Sequence, residues 1–387
     1  MSEPAKEPAP ADGIVDPRAA GAPMTPGSMC RLRSESTTSQ LDSGGVLASS
    51  FSSIKPETLC AMLDYGVTSE QGTRKTMEDQ HTALCGVSQP ASPAAAEKHA
   101  HKNIPFFGVY DGHGGTHCAE FLKANLAGYV INHAEVKSDP QKALRESVLR
   151  CEAEFMEKCR VERIESGSTA AMAMIVNGKL YAANVGDSEI ILSRGGQPKV
   201  LSTKHHLAAN EKEVERVKAV GGRIWHNRVG HPKFNPQLVS LAVCRAIGDA
   251  GFKLEEYTDG KASGIIADPD TQECELLPQD EFLLIGCDGL FDVMDYAEVI
   301  GFCKEQLAVH TAAYADPAKR EKMGGPPSKL VSEAIVNEAL KRGSTDNVTV
   351  LFVNLKPMID AVSKEKVVMG ESVADGAAPP PPPAPPA

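Results

Sequence analysis

Residues 171–201, AMAMIVNGKLYAANVGDSEIILSRGGQPKVL, carry two hairpin signals back to back. Apolar runs meet at Asn177-Gly178 and again at Gly195-Gly196. Both dipeptides tolerate the paired positive φ angles of a tight hairpin turn. A chain that reverses this often commits to antiparallel sheet, because parallel neighbours need crossovers of about a dozen residues or more. Two more strands are legible in EFLLIGCD (281–288) and NVTVLFVNL (347–355).

Helical patterns lie between these strands. In DPQKALRESVLRCEAEFMEKC (139–159), Leu144, Val148, Cys151, Phe155 and Cys159 recur at the spacing of one helix face. Asp139 stands at the N-cap and Pro140 at the first helical position. The stretches 116–133, 210–222, 296–309 and 328–343 are further amphipathic candidates. Hairpins separated by helix pairs predict an α+β fold of antiparallel sheets flanked by helices, not a βαβ alternation.

Composition sets the boundaries. Residues 1–55 are rich in Pro, Ala, Ser and Gly and are expected to be a disordered tail. Residues 357–387, ending in GAAPPPPPAPPA, are expected to be a second disordered tail, open to a polyproline-binding partner or merely solvated. SQPASPAAAEKHAHK (88–102) reads as a long loop, which leaves 56–356 as one folded domain. The net charge of −11 argues against a nucleic-acid partner, and no apolar run reaches the length of a membrane span, so no membrane insertion is expected. Neither an apolar leader nor a glycine at position 2 is present, so secretion and N-myristoylation are not expected. Ten cysteines, scattered singly through apolar runs with no CxxC pair, suit a reducing compartment, cytoplasmic or alternatively nuclear. A monomer is expected.

The acidic residues are placed unusually. FFGVYDGHGG (106–115) ends an apolar run at Asp111, FLLIGCDG ends another at Asp288, and Asp346 opens NVTVLFV. RKTMEDQHT (74–82) adds Glu78 and Asp79. One Asp-Gly after a strand is a turn, but four acidic sites at the edges of apolar segments form a pattern. Carboxylates buried together without cations would be driven to protonate. Hard divalent cations such as Mg²⁺ and Mn²⁺, which prefer oxygen ligands, would fill the space between them. Gly112 leaves its carbonyl free to turn toward such an ion. Arg74 offers a planar fork for two phosphate oxygens. His113, two residues after Asp111, is placed to donate a proton beside the ions, and two metals sharing a water are a phosphate-ester hydrolysis device.

RKTMEDQHT, FFGVYDGHGG, ESGSTA, NVGDS, RAIGD, GCDGLFDV and STDNVTV together resemble, in order and spacing, the protein phosphatase 2C family of metal-dependent Ser/Thr phosphatases. The resemblance covers about residues 63–355. It implies a β-sandwich of two antiparallel sheets flanked by helices on both faces, with two Mn²⁺ or Mg²⁺ ions in a cleft at one end. It implies hydrolysis of phosphoserine and phosphothreonine in phosphoprotein substrates by a metal-activated water. By motif, Asp111 matches the bridging ligand and Gly112 gives its carbonyl to one ion. Asp288 and Asp346 match ligands of the other, and Glu78 and Asp79 act largely through bound waters. Arg74 matches the phosphate clamp and His113 the general acid. The alternative is a catalytically weak pseudophosphatase serving as a binding scaffold.

Several positions depart from the family pattern. His205 stands where many members carry an aspartate that, with Asp288, helps hold a third metal. That site is lost or retuned, with weakening the expectation, and an exposed loop histidine is the alternative. Glu189 replaces a frequent arginine and is expected on a strand surface. Cys244 is expected as a small buried filler, and Asp187 and Asp249 as turn or hydrogen-bonding residues. Asp268 and Asp270 are read as a turn. The flap, about 205–245, contains GRIWHNRVGHPKFNPQLVSLA (222–242) with the only tryptophan, Trp225, and Arg223, His226, Arg228, His231 and Lys233. On so acidic a chain this is a locally positive patch, expected to contact an acidic phosphopeptide, with a purely structural loop as the equal alternative.

Overall fold

Asn177 and Gly178 take φ of 51° and 76°, and Gly195 and Gly196 take 59° and 75°, so both hairpins form where the sequence places them. The computed structural model describes residues 56–85 and 104–364, all within one compact unit. The tail 1–55, the loop 88–102 and residues 365–387 lie outside the described residues.

The two hairpins seed two five-stranded sheets. The first runs β1 (Asp64–Glu70), β16 (Val348–Asn354), β15 (Asp280–Gly286), β8 (Glu189–Arg194) and β9 (Gln197–Val200). The second runs β14 (Asp270–Glu275), β7 (Lys179–Val185), β6 (Ala170–Val176), β3 (Phe106–Tyr110) and β2 (Gln80–Leu84). Every pairing in them is antiparallel. Alternate residues of each strand point to opposite faces, and here both faces are covered. Phe107, Val109, Ala171, Leu180, Ile190, Leu283 and Leu351 fill the layer between the sheets. Phe106, Tyr110, Met172 and Met174 on the outer face of the second sheet pack with helices His117–Ile131 and Pro140–Glu162. Phe282, Leu284, Val350 and Phe352 on the outer face of the first pack with helices Tyr296–Tyr314 and Pro327–Lys341. This is the four-layer α+β sandwich expected. Double coverage explains why β6 and β16 read as unbroken apolar runs: all their residues are buried.

Local chemistry sets the helix starts. The Asp139 carboxylate accepts from the Lys142 N–H at 3.0 Å, with Pro140 opening the helix. At Tyr296–Tyr314 a capping box joins Asp295 and Glu298.

Three expectations are corrected. Residues 356–364 are helical, and Met358, Ile359 and Val362 are buried in the layer between the sheets, so folded structure passes the expected boundary at 356. Glu189 is buried rather than on a strand surface, with its carboxylate against the Tyr296 hydroxyl and 3.5 Å from Lys204 Nζ. Asp270 opens β14 and pairs with Arg245 at 3.1 Å instead of sitting in a turn.

Antiparallel register decides where the acidic residues go. Gln80, after Asp79, faces Tyr110, before Asp111. Gly286, two residues before Asp288, faces Val350 on β16, which Asp346 precedes, and also Glu189, two residues after Asp187. Residues distant in sequence therefore emerge at one edge of each sheet, and the stacking of the sheets brings the two edges to one cleft.

Candidate active site

That cleft has a volume of about 490 Å³, and Arg74, Glu78, Asp111, Gly112, His113, Asp187, Asp288 and Asp346 are in its lining. Asp79 lies beneath, almost fully buried. Ligand atoms of Asp79, Asp111 and Cys287 all fall within 4.8 Å of one another. Every acidic residue singled out at a strand end thus arrives at one place.

Crowded, buried carboxylates hold their protons. Burial first, then the charges of Asp79, Asp288, Asp187 and Asp346, push the Asp111 carboxyl well above its ordinary range. Burial also lifts Asp79 to about 6, against opposing contacts from Thr349 and Cys287, with Asp288 and Asp346 adding to the rise. Asp187 is lifted to about 7, by burial and then by Asp288, while Lys204 pulls it down. Asp288 is raised by burial and by Asp346 and Asp292. Neither carboxylate oxygen of Asp79 has a hydrogen-bond partner of good geometry.

Backbone packing shapes the rest. Gly112 sits in a small sheet of β4 (Gly112–His113), β5 (Gly167–Ser168) and β13 (Ile247–Gly248). A Cβ on Gly112 would lie 2.4 Å from the Glu78 carbonyl oxygen, so no side chain fits. The Asn347 amide nitrogen donates to the carbonyls of Gln71 (2.8 Å) and Thr76 (3.0 Å), and its oxygen accepts the Glu78 N–H at 2.8 Å. Asn347 so stitches the RKTMED loop to the start of β16. The Glu78 carboxylate accepts from the Thr76 hydroxyl and the Gly115 N–H. Arg74, largely exposed, pairs with Asp346.

His113 is held by Asp249. Its Nε2 lies 2.9 Å from both Asp249 carboxylate oxygens. Burial alone would lower the imidazole pKa, but the Asp249 charge and hydrogen bond outweigh it and the net shift is upward. A Cβ on Gly167 would stand 2.4 Å from Asp249 Oδ2 and 2.5 Å from His113 Nε2, so the ESGSTA glycine keeps that contact open. Asp249, expected as a turn or hydrogen-bonding residue, is both, with φ of 56°. Gly167 and Asn347 have no role in the sequence reading, although both lie in motifs that it quotes. Asp187, read only as a turn or hydrogen-bonding residue, lines the cleft itself.

A family profile, "Protein phosphatase 2C", matches residues 63–348. The chain belongs to the protein phosphatase 2C family. It is 34% identical over 302 residues to Probable protein phosphatase 2C 22 of Arabidopsis thaliana, covering 76% of this chain and 68% of that one. It is 31% identical over 312 residues to human Protein phosphatase 1F, covering 79% and 60%. Protein spalten of Dictyostelium discoideum is 33% identical over 306 residues, of which this chain spans only 28% of the length. The fold matches the crystal structure of serine-threonine phosphatase 2C from Toxoplasma gondii with a TM-score of 0.58 at 21% identity, over 76% of this chain and 94% of that one.

Protein phosphatase 2C enzymes depend on metal, and the donor set here fits divalent ions. The acidic donors that line the cleft are hard oxygens, and the space at Gly112 is kept clear of a side chain. His205 departs from the expectation at the family's third-ion position. It is fully buried rather than exposed, and it is not in the cleft lining. Its Nδ1 accepts the Gly186 N–H at 3.1 Å, and its Nε2 lies 3.3 Å from Asp270. Nδ1 is taken by the Gly186 backbone, while Nε2 is buried beside Asp270 without a hydrogen bond of good geometry, and the ring lies outside the cleft lining that includes Asp288.

Proposed function

We propose that this chain is a metal-dependent protein serine/threonine phosphatase that hydrolyses phosphoserine and phosphothreonine in phosphoprotein substrates, with two Mn²⁺ or Mg²⁺ ions. The observation that carries the reading is the convergence of Asp79, Asp111, Asp187, Asp288 and Asp346 on one cleft, where burial and then neighbouring charge raise the Asp79, Asp111, Asp187 and Asp288 carboxyls. Bound there, the ions supply Lewis acidity and a water acidified enough to be a nucleophile near neutral pH. Asp111, the Gly112 carbonyl, Asp288 and Asp346 would hold them, with Glu78 and Asp79 acting through waters. Arg74 presents its fork to two phosphate oxygens from the exposed rim. His113 uses Nε2 to hold Asp249, which leaves Nδ1 to protonate the departing serine or threonine alkoxide. Asp249 keeps the ring charged and oriented for that transfer.

One observation favours the pseudophosphatase alternative: a buried histidine, His205, stands in sequence where many family members carry an acidic ligand. The test is Mn²⁺-dependent turnover of an aryl phosphate and a phosphopeptide. Wild type should turn over both and Asp111→Asn neither. Wild-type rates no higher than that variant's, with either ion, would favour the scaffold. The burial of eight of the nine described cysteines as thiols supports a reducing compartment, the cytoplasm or nucleus.

A further inference from the structure

The flap carries cations, but the structure engages most of them internally. Arg223 Nη1 donates to the carbonyls of His231, Pro232 and Phe234. Lys233 pairs with Asp259 at 2.9 Å. His231 is buried, with Nε2 2.8 Å from the Gly251 carbonyl oxygen. Arg228 lines the cleft, with Nε and Nη2 on Ser240. The flap also leaves large apolar side chains open. Val220, Trp225, Phe234 and Leu238 are four of the six large hydrophobic residues exposed among the described residues, so exposed apolar surface is concentrated here.

Register singles out Trp225. The flap sheet is β10 (Arg223–Trp225), β11 (Arg228–Gly230) and β12 (Ser240–Leu241). Trp225 is the direct cross-strand partner of Arg228. Directly opposed residues share a sheet face, so the indole stands beside the guanidinium that lines the cleft. The turn between them, His226-Asn227, holds φ of 44° and 60° without a glycine, a conformation that L residues adopt at a cost. The His226 ring packs edge-on against the indole with centroids 4.6 Å apart. A hairpin held in a costly turn therefore presents a 40% exposed tryptophan at the rim of the cleft. Leu241, Ala242 and Val243 add apolar lining to the cleft itself.

Resting on the phosphatase reading above, we propose that Trp225 is a substrate-docking platform that takes an apolar side chain of the phosphoprotein, close in sequence to the phosphoresidue and on its flap side. The place of Trp225 directly across from Arg228, which lines the cleft, points to the substrate itself as the occupant. The preference of this enzyme is then for apolar rather than acidic flanks.

The experiment is steady-state kinetics with Mn²⁺ on phosphothreonine peptides carrying leucine or alanine at each flanking position, and on p-nitrophenyl phosphate. Wild type, Trp225→Ala and Trp225→Phe are compared. The KM of the best leucine-flanked peptide should rise roughly tenfold in Trp225→Ala, the equivalent of about 1.4 kcal/mol, and stay near wild type in Trp225→Phe. The alanine-flanked peptides and the aryl phosphate should be unaffected, which also shows that the variant is folded. An equal rise for all peptides overturns the proposal, and so does no rise, which would leave the patch to another protein. Should wild type turn over none of these substrates, the phosphatase reading fails separately. Fluorescence of Trp225, the only tryptophan, then decides docking. A spectral change with leucine-flanked peptides alone supports it, and no change with either set overturns it.

Discussion

Asp79 is a charge that the metal-free fold is strained to keep. Its carboxyl holds a proton up to about 6 in the folded chain, against an ordinary 3.8. Because the folded state binds the proton more tightly, it carries more protons than the unfolded state between about pH 4 and 6. Stability therefore falls as pH rises through that window. Above it the penalty is complete, on the order of 3 kcal/mol for a gap of about two pKa units. Asp79→Asn removes the titration altogether. In EDTA, urea denaturation should show the stability of Asp79→Asn relative to wild type improving by about 2–3 kcal/mol between pH 4 and pH 7.5. The asparagine amide is itself buried at a cost of about 1–3 kcal/mol, so the change with pH is the diagnostic quantity rather than the absolute gain. Added Mn²⁺ should then stabilise wild type more than the variant, because it supplies the missing countercharge. A difference between the two proteins that does not vary with pH, or that moves the other way, would refute the account of the crowded carboxylates.

Asp249→Asn should lower the His113 pKa and move the alkaline limb of kcat for a phosphoserine peptide to lower pH, with roughly tenfold loss near pH 8. Turnover of p-nitrophenyl phosphate, whose leaving group needs no proton, should change little, and equal losses on both substrates would count against His113 as general acid. Gly112→Ala would push a methyl to 2.4 Å from the Glu78 carbonyl oxygen, so it should cost about 1–3 kcal/mol in urea denaturation and weaken Mn²⁺ binding in a calorimetric titration. At Glu213 burial raises the carboxyl, but hydrogen bonds from Arg245, Arg216 and Cys244 outweigh it and hold it at about 2. Its folded pKa is depressed, so its contribution is full above about 4.5 and is lost as pH falls toward 2. Glu213→Gln should cost on the order of 3 kcal/mol at pH 7, and its gap to wild type should narrow in urea denaturations at pH 3.

The strands, the hairpin turns at Asn177-Gly178 and Gly195-Gly196, and the capped helix at Asp139 were all legible in sequence, because turn chemistry and side-chain period act over a few residues. Aspartates at strand ends were legible for the same reason: an apolar run and the polar residue that stops it are neighbours. Which long-range contacts those residues make was not. His113 meets Asp249 across 136 positions, through space that Gly167 keeps clear, and no local rule relates the three. Helix packing on the outer face of the first sheet buried Glu189 against Tyr296, and neighbouring backbone took up His205, although each reads as a surface residue along its own segment. The flap shows the limit as well: its basic residues are legible in sequence, but not that Lys233 pairs with Asp259 or that Trp225 stands across from Arg228. Sequence alone determined antiparallel sheets flanked by helices and the positions of the acidic strand ends, because periodicity and turns are local, while the stacking of two sheets followed only from the family resemblance. Only the tertiary structure decided which charges face each other, which are neutralised, and which apolar side chains stay open, because desolvation and pairing depend on neighbours that the chain brings together from far apart.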